Sequence, residues 1–379
     1  MTVPVVDVVV AVHTAQRPVE RAVASVLGTA VPVRVTLVCH HVPPADVEER
    51  LGDVRRALAA TPHTLRLLPF ADGVASPAGP FNRGLAEASA PYVALLGSDD
   101  VLEPGALDAW VALAQRDGAD MVVPRLRHAA APGGGAGAVV PTPPVRPWRT
   151  RGLDLVRDRL AYRSAPLGLL RRETVAALGL AMTPGLSVGE DVAFGLRLWS
   201  GAAVTYARRA PAYVIGADAS DRVTSEAKPV AAELACVHDA ITRPDLAGLD
   251  RAARRAVAVK LTRIHVFGAV HNRASAAHTW TDADLAGLRD AAHALARWAP
   301  GHERVLSCAE RDLLDAVREP VGPEVSPADA AARGAVLVNL SARRRRHGTW
   351  PTLRTRDVRA LLAREAPLRF MAASVLATR

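Results

Sequence analysis

The chain has 379 residues, enough for two or three domains and a sizeable buried core. Half of them are apolar and 22% charged, which excludes a disordered chain. Lys plus Arg number 47 against 38 Asp plus Glu, a formal charge of +9. Such a balance either favours anionic partners, a phosphorylated polymer or the inner membrane face among them, or describes a solvated basic surface.

The N-terminus, MTVPVVDVVVAVHT, lacks a basic region and a small-residue cleavage site, and no apolar run reaches the ~18–20 residues of a membrane-crossing helix. A cytoplasmic chain is expected, with peripheral contact at the inner membrane face left open. Three widely spaced cysteines, Cys39, Cys236 and Cys308, argue against a disulfide framework.

Val5–Val12 is almost continuous in β-branched residues, as a strand buried on both faces should be. Pro18–Leu27 follows as a helix with Gly28 just past its end. The pattern continues with strand Val33–Cys39, helix Ala45–Ala59, strand Thr64–Phe70, helix Phe81–Ala88, strand Tyr92–Leu96, helix Pro104–Arg116 and strand Met121–Leu126. This alternation predicts an α/β fold with a mostly parallel sheet. Ala129–Pro147, dense in Gly, Pro and Ala, reads as a mobile loop. Helix Leu153–Leu160, strand-like Pro166–Leu170, helices Glu173–Leu178 and Asp191–Trp199, and strands near Val204–Tyr206 and Ala212–Ile215 complete this part.

From Pro229 the periodicity is helical, over Val230–Ile241, Ala252–Asn272, Asp282–Trp298 and Glu303–Val317. Gly322–Pro327 reads as a linker, and the tail carries Arg343–Arg346 and one more helix, Arg356–Arg364. Residues 1–228, 229–320 and 321–379 therefore divide into an α/β domain, a helical domain and a basic C-terminal segment. The Arg run reads as a solvated face or an anion site. His265 and His271 lie on an apolar helical pattern and are expected to be packed, as are Trp110, Trp199, Trp280 and Trp298.

In open parallel sheets ligands sit at the carboxyl ends of strands. The polar residues there are His13 and Thr14, His40 and His41, Asp72 and Gly73, and Gly97-Ser98-Asp99-Asp100. Asp99 and Asp100 suit a hard divalent cation shared with a diphosphate; the alternative is a cap on the following helix. Glu190 and Asp191 open a helix, where a carboxylate is held ionised and can serve as a general base, or again caps.

The order VVVAVHTAQRPVERAVASVL, FNRGLAEASAPYVALLGSDDVLEPGALD and GEDVAFGLRLW resembles glycosyltransferase family two, the inverting GT-A enzymes, in an actinobacterial-type form, over about residues 3–225. The resemblance implies a GT-A sandwich with a nucleotide-sugar donor bound across the strand ends, near His13, Thr14, His40, Asn82 and Gly84. Asp99, with Asp100, would hold Mg²⁺ or Mn²⁺ on the diphosphate. Asp191 would deprotonate the acceptor hydroxyl and Glu190 orient a sugar. Asp221, Arg222 and Thr224 resemble a loop that closes over the diphosphate.

Departures from the family pattern stand at Ala11-Val12-His13-Thr14, at Phe81, at Gly97, where one acidic ligand is missing, and at Cys39-His40-His41. The last replaces acidic residues and predicts that no carboxylate recognises uracil. The expected function is sugar transfer from a nucleoside-diphosphate donor to an acceptor hydroxyl. The acceptor would be a cell-wall or other phosphate-bearing polymer, a lipid-linked sugar or a small metabolite. The alternative is a catalytically silent nucleotide- or glycan-binding scaffold. No helix-turn-helix, zinc-finger or RNP pattern supports a nucleic-acid partner. The helical domain is the expected surface for any homo-oligomer.

Overall fold

The computed structural model describes residues 2–132, 134–146, 148–217, 228–275, 278–320 and 326–377. Eleven strands among these form two sheets: β1 Val6–Val12, β2 Val33–His40, β3 Thr64–Phe70, β4 Tyr92–Gly97, β5 Val101–Leu102, β6 Met121–Pro124, β7 Leu126–Ala129, β8 Ala136–Val139, β9 Leu169–Arg171, β10 Val204–Ala207 and β11 Tyr213–Ile215. The larger sheet runs β10-β6-β9-β4-β1-β2-β3, with β9 antiparallel to both its neighbours and the other pairs parallel. The smaller runs β5-β11-β7-β8. The α/β expectation holds, with a GT-A-like mixed, mostly parallel sheet and a helical C-terminal region.

Valines drive β1 to the middle of the sheet: Val6, Val8, Val9, Val10 and Val12 are wholly buried, on both faces, as a central parallel strand requires. The buried Asp7 carboxylate is fully engaged. It accepts from Arg34 at 2.6 and 2.8 Å and from the Ser89 and Ala90 amides at 2.7 and 2.8 Å. That set fixes β1 against β2 and against the turn entering β4.

Several expected elements change. The strand Met121–Leu126 splits, because the chain leaves one sheet after Pro124 and enters the other at Leu126. The loop Ala129–Pro147 contains β8, paired with β7, and is anchored where buried Arg163 donates to the carbonyls of Pro124 and Pro143 at 2.8 and 3.0 Å. Leu153–Leu160 does not form a helix: Asp154 accepts from the amides of Val156 and Arg157, and Asp158 takes Arg146 in a two-pronged pair. Side chains that bond nearby backbone compete with helical hydrogen bonds. The helix Ala45–Ala59 breaks into Pro44–Glu48, a 3₁₀ turn and Gly52–Leu58. The tail forms the 18-residue helix Pro327–Arg344, while Arg356–Arg364 holds only a 3₁₀ turn and the last helix is Pro367–Ala377. Most of the expected linker, 321–325, lies outside the described residues.

One apolar core spans the molecule, containing Val9 and Leu95 of the sheet together with Val257, Leu288 and Leu337 of the helical region. Trp280 lies against Gly334, where an added Cβ would meet the indole at 2.1 Å. No helix of the described residues is long and apolar enough to cross a membrane.

Candidate active site

The strand order reverses between β1 and β4, and a cavity of about 410 Å³ opens there at the carboxyl edge. Ala11, Val12, His13, Arg17, His40, His41, Pro80, Phe81, Ser98 and Asp99 are among its walls. It is mostly apolar with a few convergent polar groups, within the ~300–1,000 Å³ of small-ligand sites.

At one end His40 Nε2 lies 2.9 Å from Asp72 Oδ1, and His41 Nε2 lies 3.4 Å from the same oxygen. His41 adopts φ 57°, a left-handed conformation that folds its ring against His40, with centroids 4.1 Å apart. The hydrogen bond from His40 holds the Asp72 carboxyl below its ordinary range. Asp72, from the end of β3, thus places a carboxylate beside the two histidines. His40, His41 and Asp72 also form the one group of three close metal-type ligands among the described residues.

At the other end the two adjacent aspartates part company. Asp99 Oδ1 pairs with Arg17 at 2.9 Å and its carbonyl accepts from Arg21 at 2.8 Å. Asp100 turns inward: it accepts from the Tyr213 hydroxyl at 2.5 Å and from the Gly216 amide at 2.8 Å. Tyr213 in turn accepts from the Gly97 amide at 3.0 Å. An added Cβ on Gly97 would lie 2.3 Å from the Asp100 carboxylate, so the missing acidic residue leaves the space that Asp100 fills. Asp100 as a metal ligand is corrected on this ground: its oxygens fasten the loop to β11. Arg17 and Arg21, which sequence reasoning passed over, stand beside Asp99; the RPVER stretch after β1 was their only signal.

Thr14 does not line the cavity. Its hydroxyl accepts from the Gln16 amide at 3.3 Å, within the turn that brings Arg17 round. Asn82 and Gly84 lie on the helix Ala78–Ala86, whose start walls the cavity, but both serve packing. Gly84 lets that helix sit on Val9, where a Cβ would stand 2.1 Å from a methyl. The Asn82 amide donates to the Met182 carbonyl at 2.9 Å and accepts from the Met182 amide at 2.8 Å. Thr183 then donates to the Glu190 carbonyl at 2.9 Å. The acidic pair is thus stitched to the cavity wall. Arg222, with Asp221 and Thr224, lies outside the described residues.

Asp191 occupies the N-cap position of the helix Val192–Gly201, yet its side chain makes no cap hydrogen bond. Burial and the Asp191 charge push the Glu190 carboxyl up to about 7. Burial also raises Asp191, opposed by the charge of Lys260. Lys260 is fully buried beneath the pair and pushed down to about 8. Its ammonium lies 3.0 Å from His265 Nε2, and His265 Nδ1 lies 3.5 Å from Cys236 Sγ. His265 is kept neutral by burial and by Lys260. It sits in a π-helical stretch, Thr262–Val266, a distortion that recurs at functional sites.

The fold and this strand-end site define a glycosyltransferase with a GT-A-like architecture. Residues 45–179 match the model of glycosyl transferase family 2. The matched stretch includes Asn82, Gly84 and Asp99 and stops before Glu190 and Asp191. Among solved structures, Staphylococcus aureus TarS 1–349 in complex with UDP-GlcNAc is similar with a TM-score of 0.69 at 14% identity, over 90% of this chain and 91% of that one. The UDP complex of TarS 1–349 gives 0.64 at 15%, over 91% and 92%. Against the longer TarS chain the score is 0.65 at 15%, with 91% of this chain covered and 56% of that one. At such identity the likeness is one of fold. No curated protein matches the sequence.

Proposed function

We propose that the chain transfers a sugar, with inversion, from a nucleoside-diphosphate donor to an acceptor hydroxyl on a glycan or phosphate-bearing polymer. The observation that carries this reading is the Asn82 bridge, which ties a half-buried acidic pair, its Asp191 making no cap hydrogen bond, to the wall of a strand-end cavity. UDP-GlcNAc and UDP, named in the TarS complexes, are the first donor and product to test.

The nucleoside fills the cavity with its base toward His40, His41 and Asp72, where hydrogen-bonding edges are fixed and the rest is apolar. His13 and Arg17 flank the diphosphate. The residue that would hold a hard divalent cation is Asp99, a carboxylate at the cavity wall whose Oδ1 pairs with Arg17, with phosphate oxygens and water to complete the shell. Bound Mg²⁺ or Mn²⁺ supplies charge neutralisation on the leaving diphosphate. Asp191 takes the acceptor hydroxyl proton; the oxygen bonds to the anomeric carbon as the bond from that carbon to the phosphate oxygen breaks. Lys260 keeps Asp191 ionised, while Glu190, still partly protonated at neutrality, can donate a hydrogen bond to a sugar hydroxyl.

The experiment is donor turnover. Purified protein with Mn²⁺ is expected to release UDP from UDP-GlcNAc, slowly with water and faster with acceptor. No nucleoside diphosphate from any donor of a UDP-, GDP-, CDP- and dTDP-sugar panel would refute the proposal.

A further inference from the structure

The formal charge is not spread evenly along the chain. Residues 341–379 hold ten arginines and two acidic residues, so this short segment carries eight of the nine net positive charges. Of the two acids, Glu365 is buried against Arg159 and Arg263, which leaves Asp357 to offset the exposed arginines within the segment. Arg356 pairs with Asp312 and Asp315, and Arg344 stacks over Phe267. Arg343, Arg345, Arg346 and Arg359 are exposed, and none has an acidic partner among the described residues.

Large apolar side chains stand out in the same segment. Trp350, Val358 and Leu362 are 70%, 81% and 73% exposed, and Leu368 and Met371 are exposed as well. In the helix Pro367–Ala377, Phe370 lies beneath Arg159 and Arg263 at 4.9 and 4.8 Å and Ala373 is buried, so that side faces the body. Leu368 and Met371, three residues apart, share the opposite side, where a helix in water ordinarily keeps polar residues. Charge and apolar surface interleave. The Arg354 guanidinium lies 5.6 Å from the Trp350 ring centre, and Arg369 donates to the Leu362 carbonyl at 3.2 Å. The Thr352 hydroxyl donates to the Arg346 carbonyl at 3.3 Å, and the short helix Trp350–Leu353 packs on Pro367–Ala377, so these pieces form one face.

We propose that this C-terminal face docks on the surface of an anionic phospholipid bilayer, with Trp350, Leu362, Leu368 and Met371 at the boundary between headgroups and acyl chains. Charge complementarity selects this occupant. A second copy would set two strongly basic faces against each other. A soluble polyanion would leave the apolar side chains in water. Arginines with Trp, Leu and Met between them suit the edge of a negatively charged bilayer, where both kinds of group find partners at once. The claim stands apart from the transfer reading.

Co-sedimentation of the full chain with vesicles tests it. Phosphatidylcholine vesicles with about one third phosphatidylglycerol bind the protein, pure phosphatidylcholine does not, and raised salt weakens the binding. The triple variant Arg343→Glu/Arg346→Glu/Arg359→Glu loses about a hundredfold in affinity. Trp350→Ser/Leu362→Ser loses about tenfold or more. Both keep the melting temperature, because the replaced side chains are exposed. Equal binding to neutral vesicles, undiminished affinity in Trp350→Ser/Leu362→Ser, or inorganic polyphosphate bound as tightly as the vesicles overturns the proposal. A dimer in sedimentation equilibrium that Trp350→Ser/Leu362→Ser dissolves gives the face to a second copy and overturns it likewise.

Discussion

Asp99 and Asp100 are neighbours with opposite destinies, and what separates them is Tyr213, far along the chain. A sequence shows two equivalent carboxylates; only the fold shows that one is consumed by a buried phenol and an amide. Asp99→Ala should abolish the Mn²⁺-dependent part of UDP binding, read by thermal shift, with the fold intact. Asp100→Asn should instead lower stability by about 1–3 kcal/mol, as loss of a buried charged acceptor does, read by denaturant melts. Asp191→Asn should keep UDP affinity and lower kcat by roughly 10²–10⁴-fold, the usual worth of a positioned base. Lys260 was invisible as a functional residue because it sits in a helical, Ala-rich stretch that offers no motif. Its charge favours the ionised form of Asp191, so Lys260→Met should move the acidic limb of kcat/KM to higher pH; an unmoved limb would detach Lys260 from the base. Glu190 has a folded value of about 7, above its ordinary 4.5, so its contribution to stability is present at low pH and lost as pH rises through 7. Melting of wild type against Glu190→Gln between pH 4.5 and 8 should show that slope vanish in the variant.

Among elements, those with a strong period were legible. The valine runs of β1 and β2, and the helix Asp282–Trp298 with its Thr281 capping box, need little tertiary help. What escaped was the second sheet as a sheet. Its strand β11 was expected near Ala212–Ile215, but β5, β7 and β8 have two to four residues each, and β8 is AGAV in a Gly- and Pro-rich stretch whose pairing comes from its neighbour rather than from propensity. The packing partners of Asn82 and Gly84 were hidden for the same reason: position beside a cavity does not say which way an amide points. The helix Ala78–Ala86 makes a direct test. Gly84→Val would drive methyls into Val9 and should cost about 1–3 kcal/mol or more through overpacking, measured as a lowered melting temperature.

For the whole molecule, composition separated an α/β part from a helical part, but the apolar core does not stop at that division. Leu288 is wholly buried in the helical region within the same cluster as Val9 and Leu95. Leu288→Ala should therefore cost about 2–5 kcal/mol and shift a single transition in which far-UV dichroism and loss of UDP binding coincide. Two separated transitions would show that the parts unfold independently. The Arg run of the tail, by contrast, closes the helix Pro327–Arg344: Arg343 and Arg344 fall in its last turn, and Arg344 stacks over Phe267 at 5.0 Å. The doubly bonded amide of Asn82 has a further consequence. On the proposed reading, whatever tightens the nucleoside's wall would be passed through this clasp to the stretch of chain that presents Asp191, and linkage then requires that an acceptor analogue and UDP alter one another's affinity by the same factor.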